Sequence, residues 1–336
     1  MVLDYFNKPK TYYSGFESFC YQNCLRLLLE GSDISYASLY LNASLSLIIK
    51  YDEVENKLNF MQHENIRSLI PDYLNRVEKH YYKSNADAEK IFLENIRLIR
   101  NKNIPIITGV DVFYLPYTPY YHKNHGTHTL LLCGYEEPQK WVYVVDWYEP
   151  WFYNGIIDKT EFLLARNSVS PYDGSIYSGE PILNNWAEVD IDGFNSDPTD
   201  LLKENIKLCL KQYFDEDKDL IVGIQALKIL KNYLSCNDNT QEMYIELHKQ
   251  LYIFLKRYKF FKQYLDIYGK HRPDKAIFEL SFMMSNTIKI WDYLLMLVLK
   301  LSVVESKITK HKIIINLGLI IDNEINFRER LLKFLS

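Results

Sequence analysis

The sequence is short of several features that would each have pointed to a particular kind of protein. Glycine is scarce, 12 in 336 residues, while Tyr 28 and Phe 17 are abundant. That balance belongs to a compact aromatic-rich chain and excludes a disordered one. Five cysteines, an odd number scattered over a long chain, make no disulfide framework, so reduced thiols and a cytoplasmic location are expected. Charge of either sign is missing in excess: Lys+Arg 39 against Asp+Glu 43 gives a formal −4, which offers nothing to nucleic acid. The N-terminal MVLDYFNKPK lacks the basic-then-apolar order of a signal peptide. The longest apolar run, Tyr293 to Val304, is too short for a bilayer and contains Lys300, so no membrane partner is expected. Internal repeats and low-complexity tracts are absent as well.

What remains is length enough for two domains with ample cores. The front half mixes periods. Helical spacing marks Asn65 to Tyr82, broken or started at Pro71, and Asp87 to Lys102, with Asn85 or Asp87 as N-cap. Ser32 to Leu41 has room for another short helix, and Leu45 to Tyr51 and Lys57 to Met61 read as strands. Pro105 to Tyr114, PIITGVDVFY, is β-branched and aromatic and reads as a buried strand. The span His128 to Asp146 reads as two antiparallel strands about the turn at Glu137-Pro138. A short helix fits Ile157 to Asn167, and Ser168 to Pro198, rich in Ser, Pro, Gly, Asn and Asp, reads as loop. Five amphipathic segments follow, roughly Thr199 to Phe214, Leu220 to Leu234, Gln241 to Phe260, Asp274 to Val303 and Ile313 to Leu335. The expected fold is α+β, with a catalytic domain over 1–167, a linker over 168–198 and an all-α domain over 199–336.

Chemistry concentrates at Thr11 to Gly31, TYYSGFESFCYQNCLRLLLEG. Tyr21, Cys24, Leu25, Leu28 and Leu29 form an apolar stripe of helical period, and Gly31 stands where a helix stop belongs. Cys20 falls in the first turn, where orphan N–H groups and the helix dipole favour a thiolate. The competing reading makes both Cys20 and Cys24 small core residues. A nucleophilic thiol needs an imidazole to take its proton, and the imidazole needs an acceptor to fix its tautomer. His128 opens the first strand of the hairpin and Asp146 ends the second, so the pairing brings them together. Asp111, an acid inside an apolar strand, requires a partner and competes with Asp146. His122, His125 and His128 at three-residue spacing suggest a metal site, but a loop running into a strand splays them and no carboxylate or cysteine pair lies near, so no metal is expected.

The segment DVFYLPYTPYYHKNHGTHTLLLCGYEE, followed by VYVVD, resembles the N-terminal domain of the butirosin-biosynthesis H-protein family. These are papain-like proteins related in fold to peptidases that cut bacteriocin leaders. The family's pattern falls on Asp111, Tyr114 to Tyr117, His125 with His128, and Gly134-Tyr135-Glu136. Its opening cysteine and leucines at plus five, eight and nine fall on Cys20, Leu25, Leu28 and Leu29. The resemblance implies Cys20, His128 and Asp146 as catalytic residues and Asp111, Tyr114, Tyr117 and His125 as substrate-binding ones. It extends weakly into the back half through VGIQALKILKNYL. Departures are Phe19 where the family often has histidine, LNASLSLII where it commonly has a glycine-rich segment, and Ser14 where papain-like peptidases place an oxyanion-hole glutamine. The backbone N–H of Cys20 can supply one oxyanion donor.

The implied reaction is acyl transfer from the phosphopantetheine thioester of a carrier protein, through an acyl-Cys20 intermediate, to an amine. No cofactor is bound directly in that scheme. The aromatic loop Tyr114 to Tyr121 would serve as an apolar wall against water. A carrier protein is typically acidic, and Lys256, Arg257, Lys259, Lys262, Lys270, Arg272 and Lys275 form a candidate basic docking patch. A homo-oligomer through the helical half is open. The alternatives are a papain-like cysteine peptidase, leader- or amide-cleaving, and a non-catalytic binding protein of the same fold.

Overall fold

A computed structural model describes residues 3, 20–34, 36–41, 45, 47–52, 57–60, 77–80, 87–148, 151–173, 178–194, 196–210, 214–215, 220–236 and 240–336. In chain order the elements are α1 (Cys20–Gly31), β1 (Ile48–Asp52), β2 (Lys57–Phe60), β3 (Val77–His80), α2 (Ala88–Lys102), β4 (Ile106–Asp111), β5 (Thr127–Glu136), β6 (Trp141–Tyr148), β7 (Trp151–Asp158), α3 (Lys159–Asn167), β8 (Trp186–Val189), α4 (Pro198–Leu210), β9 (Phe214–Asp215), β10 (Leu220–Val222), α5 (Ile224–Cys236), α6 (Gln241–His271), α7 (Lys275–Leu301) and α8 (Lys307–Leu335). Short 3-10 turns occupy Ala37–Tyr40 and Val112–Tyr114. The fold is α+β, with antiparallel sheets and a helical C-terminal region.

The chain divides into two compact units, Met1–Leu41 with Asp72–Ser196, and Asn42–Pro71 with Asp197–Ser336. The first unit is built on a six-stranded antiparallel sheet, β3-β8-β4-β5-β6-β7. Its centre is β4–β5–β6, whose Ile107, Val110, Leu130, Leu131, Leu132, Val144 and Val145 are fully buried. Helix α1 lies on β5, burying Cys24, Leu25, Leu27, Leu28 and Leu29, and its Arg26 guanidinium stacks 5.0 Å over the ring of Trp147 on β6. Helix α2 starts where Asp87 accepts from Lys90 N at 2.9 Å and ends at Asn103, which takes the left-handed conformation. Its Phe92 meets Tyr135 of β5 and Phe162 of α3 edge-on, at 5.2 and 5.8 Å between ring centres.

The second unit joins a four-stranded antiparallel sheet, β2-β1-β10-β9, to the long helices α6, α7 and α8. Trp291 of α7 is its largest fully buried side chain, packed edge-on against Phe254 of α6. Buried Glu324 of α8 is held by the Tyr258 hydroxyl and the Arg328 guanidinium.

Four expectations about the layout give way here. The stretch 168–198 is not a bare linker, because β8 within it pairs with both β3 and β4. The C-terminal domain is not all-α, and 1–167 is not one domain. β1 finds its partner in β10, with Ile48 opposite Val222, so the front strand pair belongs to the back unit's sheet. Residues 77–80 of the expected helix over 65–82 form β3, and the rest of that helix lies outside the described residues.

Candidate active site

The centre of the first unit brings three chemically active side chains into one line. Cys20 is the first residue of α1 and partly exposed. His128, second residue of β5, hydrogen-bonds the Cys20 side chain. On its other side, His128 Nε2 lies 2.8 Å from Asp146 Oδ1 on β6. With Nε2 committed to Asp146, Nδ1 is the nitrogen left to serve the thiol. Asp146 is wholly buried, and its second oxygen accepts from the Tyr117 hydroxyl.

Electrostatics follow from that order. Burial alone would push the Cys20 thiol up, but the hydrogen bond and charge of His128, with hydrogen bonds from Thr129, outweigh it and hold the thiol below its usual range. Burial would likewise lower His128. The charge and hydrogen bond of Asp146, helped by Cys20, reverse that and raise the imidazole to about 10. Both shifts act in the direction of a thiolate beside an imidazolium. Cys24, one turn along the same helix, goes the opposite way: burial first, then the negative charge of Asp146, raise it well above a normal thiol. Its Sγ lies 3.4 Å from the Thr129 carbonyl oxygen, within the core.

Asp111 is placed elsewhere and does something else. It is wholly buried and accepts from Phe113 N at 3.1 Å, Gly126 N at 3.0 Å and Ser168 Oγ at 2.6 Å, with His125 Nδ1 at 2.8 Å. Those contacts join the two ends of the loop 112–126. An acid with four partners and no exposure anchors the loop. His125 is spent on the same clamp and stacks on Phe113, with ring centres 4.3 Å apart. Tyr114 is partly exposed and packs edge-on against Phe113. His122 faces Glu161 at 3.7 Å, so the three histidines point to three different carboxylates. Among the described residues no group of His, Cys, Asp or Glu side chains is arranged to hold a metal ion. Ser14 and Phe19 lie outside the described residues.

Three contributors escaped the sequence. Thr129 meets both thiols, and Ser168 reaches Asp111 from beyond α3. Tyr153 of β7 lies flat on Tyr117 with ring centres 3.8 Å apart, and its hydroxyl donates to the Ile156 carbonyl at 2.7 Å. Its ring crosses Gly155, where a Cβ would come within 2.5 Å of it. The signal for Tyr153 was available in principle, since it stands opposite Asp146 across the β6–β7 pair.

Several members of the candidate basic docking patch are paired or buried, while Lys256 lies 5.0 Å over the Tyr252 ring. Arg257 is buried, Lys259 pairs with Asp292 at 2.8 Å, and Lys262 pairs with Asp266 at 2.5 Å. Arg272 pairs with Asp197 at 3.2 Å and Lys275 approaches Glu279 at 3.9 Å. Asp292, Asp197 and Glu279 lie outside the sequence window that defined the patch, and Asp266 lies within it.

The first unit is thus an α+β domain presenting a helix-start cysteine to a histidine–aspartate pair. Residues 20–147, which contain all three side chains, match the family described as Butirosin biosynthesis protein H, N-terminal, so over that stretch the chain is similar to this family. No curated protein matches the chain.

Proposed function

We propose that the protein is a papain-like cysteine acyltransferase that makes an amide bond in an antibiotic-biosynthesis pathway. The observation carrying this reading is the line Cys20–His128–Asp146, with the thiol held low and the imidazole held high. The family's link to butirosin biosynthesis supports the setting.

In the proposed reaction the Cys20 thiolate attacks the carbonyl of a carrier-bound thioester. The tetrahedral intermediate collapses, expelling the phosphopantetheine thiolate, which takes the proton from the His128 imidazolium. An amine then attacks the acyl-Cys20 carbonyl and gives its proton to His128, and Cys20 leaves as thiolate. Asp146 keeps the imidazole oriented and stabilises its positive form through both steps. Thiol–thioester exchange is nearly balanced, and aminolysis drives the sequence forward.

Intact-mass analysis after incubation with an acyl-pantetheine thioester tests this. An acyl adduct that is lost in Cys20→Ala and discharged by an added amine supports transfer. Peptide cleavage with no amine present would give the same residues to a peptidase. Neither adduct nor cleavage would leave a binding protein.

A further inference from the structure

Helix α7 has two apolar faces. One is buried through Leu280, Trp291, Leu294 and Val298. On the opposite side Phe278, Phe282, Met296 and Leu299 are 56, 67, 62 and 50 % exposed. With Ser285, Lys289 and Asp292 between them, they repeat at alternating steps of four and three, the spacing of a coiled-coil seam. Large exposed apolar side chains at both ends of such a row mark a surface that another surface covers.

The polar members of the row identify the cover. Lys289 and Asp292 occupy its centre, with apolar residues on both sides. A lipid surface would have to bury that charge pair. Helix α7 is long and apolar enough to cross a bilayer, but 39 % of its most apolar window is already buried inside the protein. An acidic partner gains nothing from a centre of zero net charge. A second copy running antiparallel satisfies every position. With the two-fold axis between residues 290 and 291, Lys289 of each copy faces Asp292 of the other, and Phe282 faces Leu299. Ser285 then faces Met296, and Phe278 faces Val303, which is 70 % exposed. A parallel pairing would set lysine on lysine and aspartate on aspartate. Asp292 already holds Lys259 at the surface, so in the pair it would be shared between two cations.

We propose that the chain forms an isologous homodimer through antiparallel packing of α7 against α7 of a second copy. A 27-residue helix is ~40 Å long. Two such helices packed along one seam bury on the order of 800 Å² per copy, the size of a standard specific interface.

Sedimentation velocity on the full chain tests the proposal. The expected result is a dimer whose dissociation constant rises about 100-fold in Phe282→Glu, with helical circular dichroism unchanged. Register is read by cross-linking in a Cys236→Ser background, which removes the exposed thiol. Ser285→Cys mixed with a size-tagged Met296→Cys chain should form the mixed disulfide under mild oxidation. Self-linked Ser285→Cys would report a parallel register and overturn the proposal. So would a wild-type monomer at tens of micromolar, a dimer indifferent to Phe282→Glu, or a monomer that floats with phosphatidylcholine vesicles.

Discussion

Tyr117 donates its hydroxyl to the one oxygen of Asp146 that His128 leaves free. The carboxylate is thereby held from two sides, by a loop residue and by a strand residue, and cannot rotate away from the imidazole. The loop is itself clamped at both ends by Asp111, and the Tyr117 ring is pinned by the Tyr153 ring. Orientation of the candidate catalytic histidine thus rests on residues that never meet the thiol.

Tyr117→Phe keeps the stack and deletes the hydroxyl. Acyl-adduct formation should slow roughly 10-fold, equivalent to ~1.4 kcal/mol, with some loss of thermal stability because the buried Asp146 oxygen loses its donor. Gly155→Ala should reach a similar rate by another route, since the new Cβ drives the Tyr153 ring off Tyr117. Single-turnover kinetics of both variants checks the pair. An unaltered rate in Tyr117→Phe would remove the hydroxyl from the positioning scheme.

Alkylation by iodoacetamide should report the Cys20 thiolate directly. The thiol sits below its usual range because His128 and Thr129 outweigh burial, so the reaction's rise with pH should centre below that of a free thiol. In His128→Ala the rise should move upward, because the lowering charge and hydrogen bond are gone and burial remains. Mass spectrometry should place the label on Cys20 and leave Cys24, which is raised and buried, unmodified at neutral pH.

Fold stability should depend on the same ion pair at alkaline pH. An imidazole raised to about 10 in the folded state, against ~6.5 in the unfolded chain, contributes stability that is complete below about 6.5. That contribution is lost as pH rises through about 10. Urea midpoints taken from pH 6 to pH 10 should therefore fall, and fall less steeply in His128→Gln. Equal slopes in both proteins would contradict the assigned shift.

Asp111 and Asp146 should separate cleanly. Asp146→Asn should cost turnover strongly, because the acceptor for His128 is weakened while the buried shape survives. Asp111→Asn should cost stability, about 3 kcal/mol, because buried donors from Phe113, Gly126, Ser168 and His125 lose part of a shared acceptor. Denaturant titration and adduct kinetics on the two variants would distinguish the roles. If Asp111→Asn were the worse lesion in turnover with stability kept, the third member of the line would be misassigned.

Local signals carried far where an element owns its own pattern. The α2 helix was legible from Asp87 and its apolar period, and the β5–β6 pair from two apolar runs about a proline-containing turn. Strands that exist only by virtue of a distant partner were not legible. β10 is three residues, LIV, at the front of a helical run, and it is a strand because β1 lies beside it. β3 lies inside a helix-like period and is a strand because β8, more than a hundred residues on, pairs with it. At the site, residue type and chain order suggested which groups could meet. The direction of the Tyr117 hydroxyl and the pairing of Lys259 with Asp292 depend on packing across elements, to which a linear pattern is blind.

The β1–β10 pairing also has a bearing on the newly made chain as it leaves the ribosome. The front strand pair emerges early, yet its sheet partner is synthesised some 170 residues later. Until then one edge of β1 offers unpaired backbone groups, a template for mispairing. A single cut near residue 197 would leave that edge permanently bare in the N-terminal piece, and would strip the C-terminal piece of half its sheet. The two units are interleaved along the chain, and dissecting them requires removing or transplanting residues 42–71 rather than choosing one boundary.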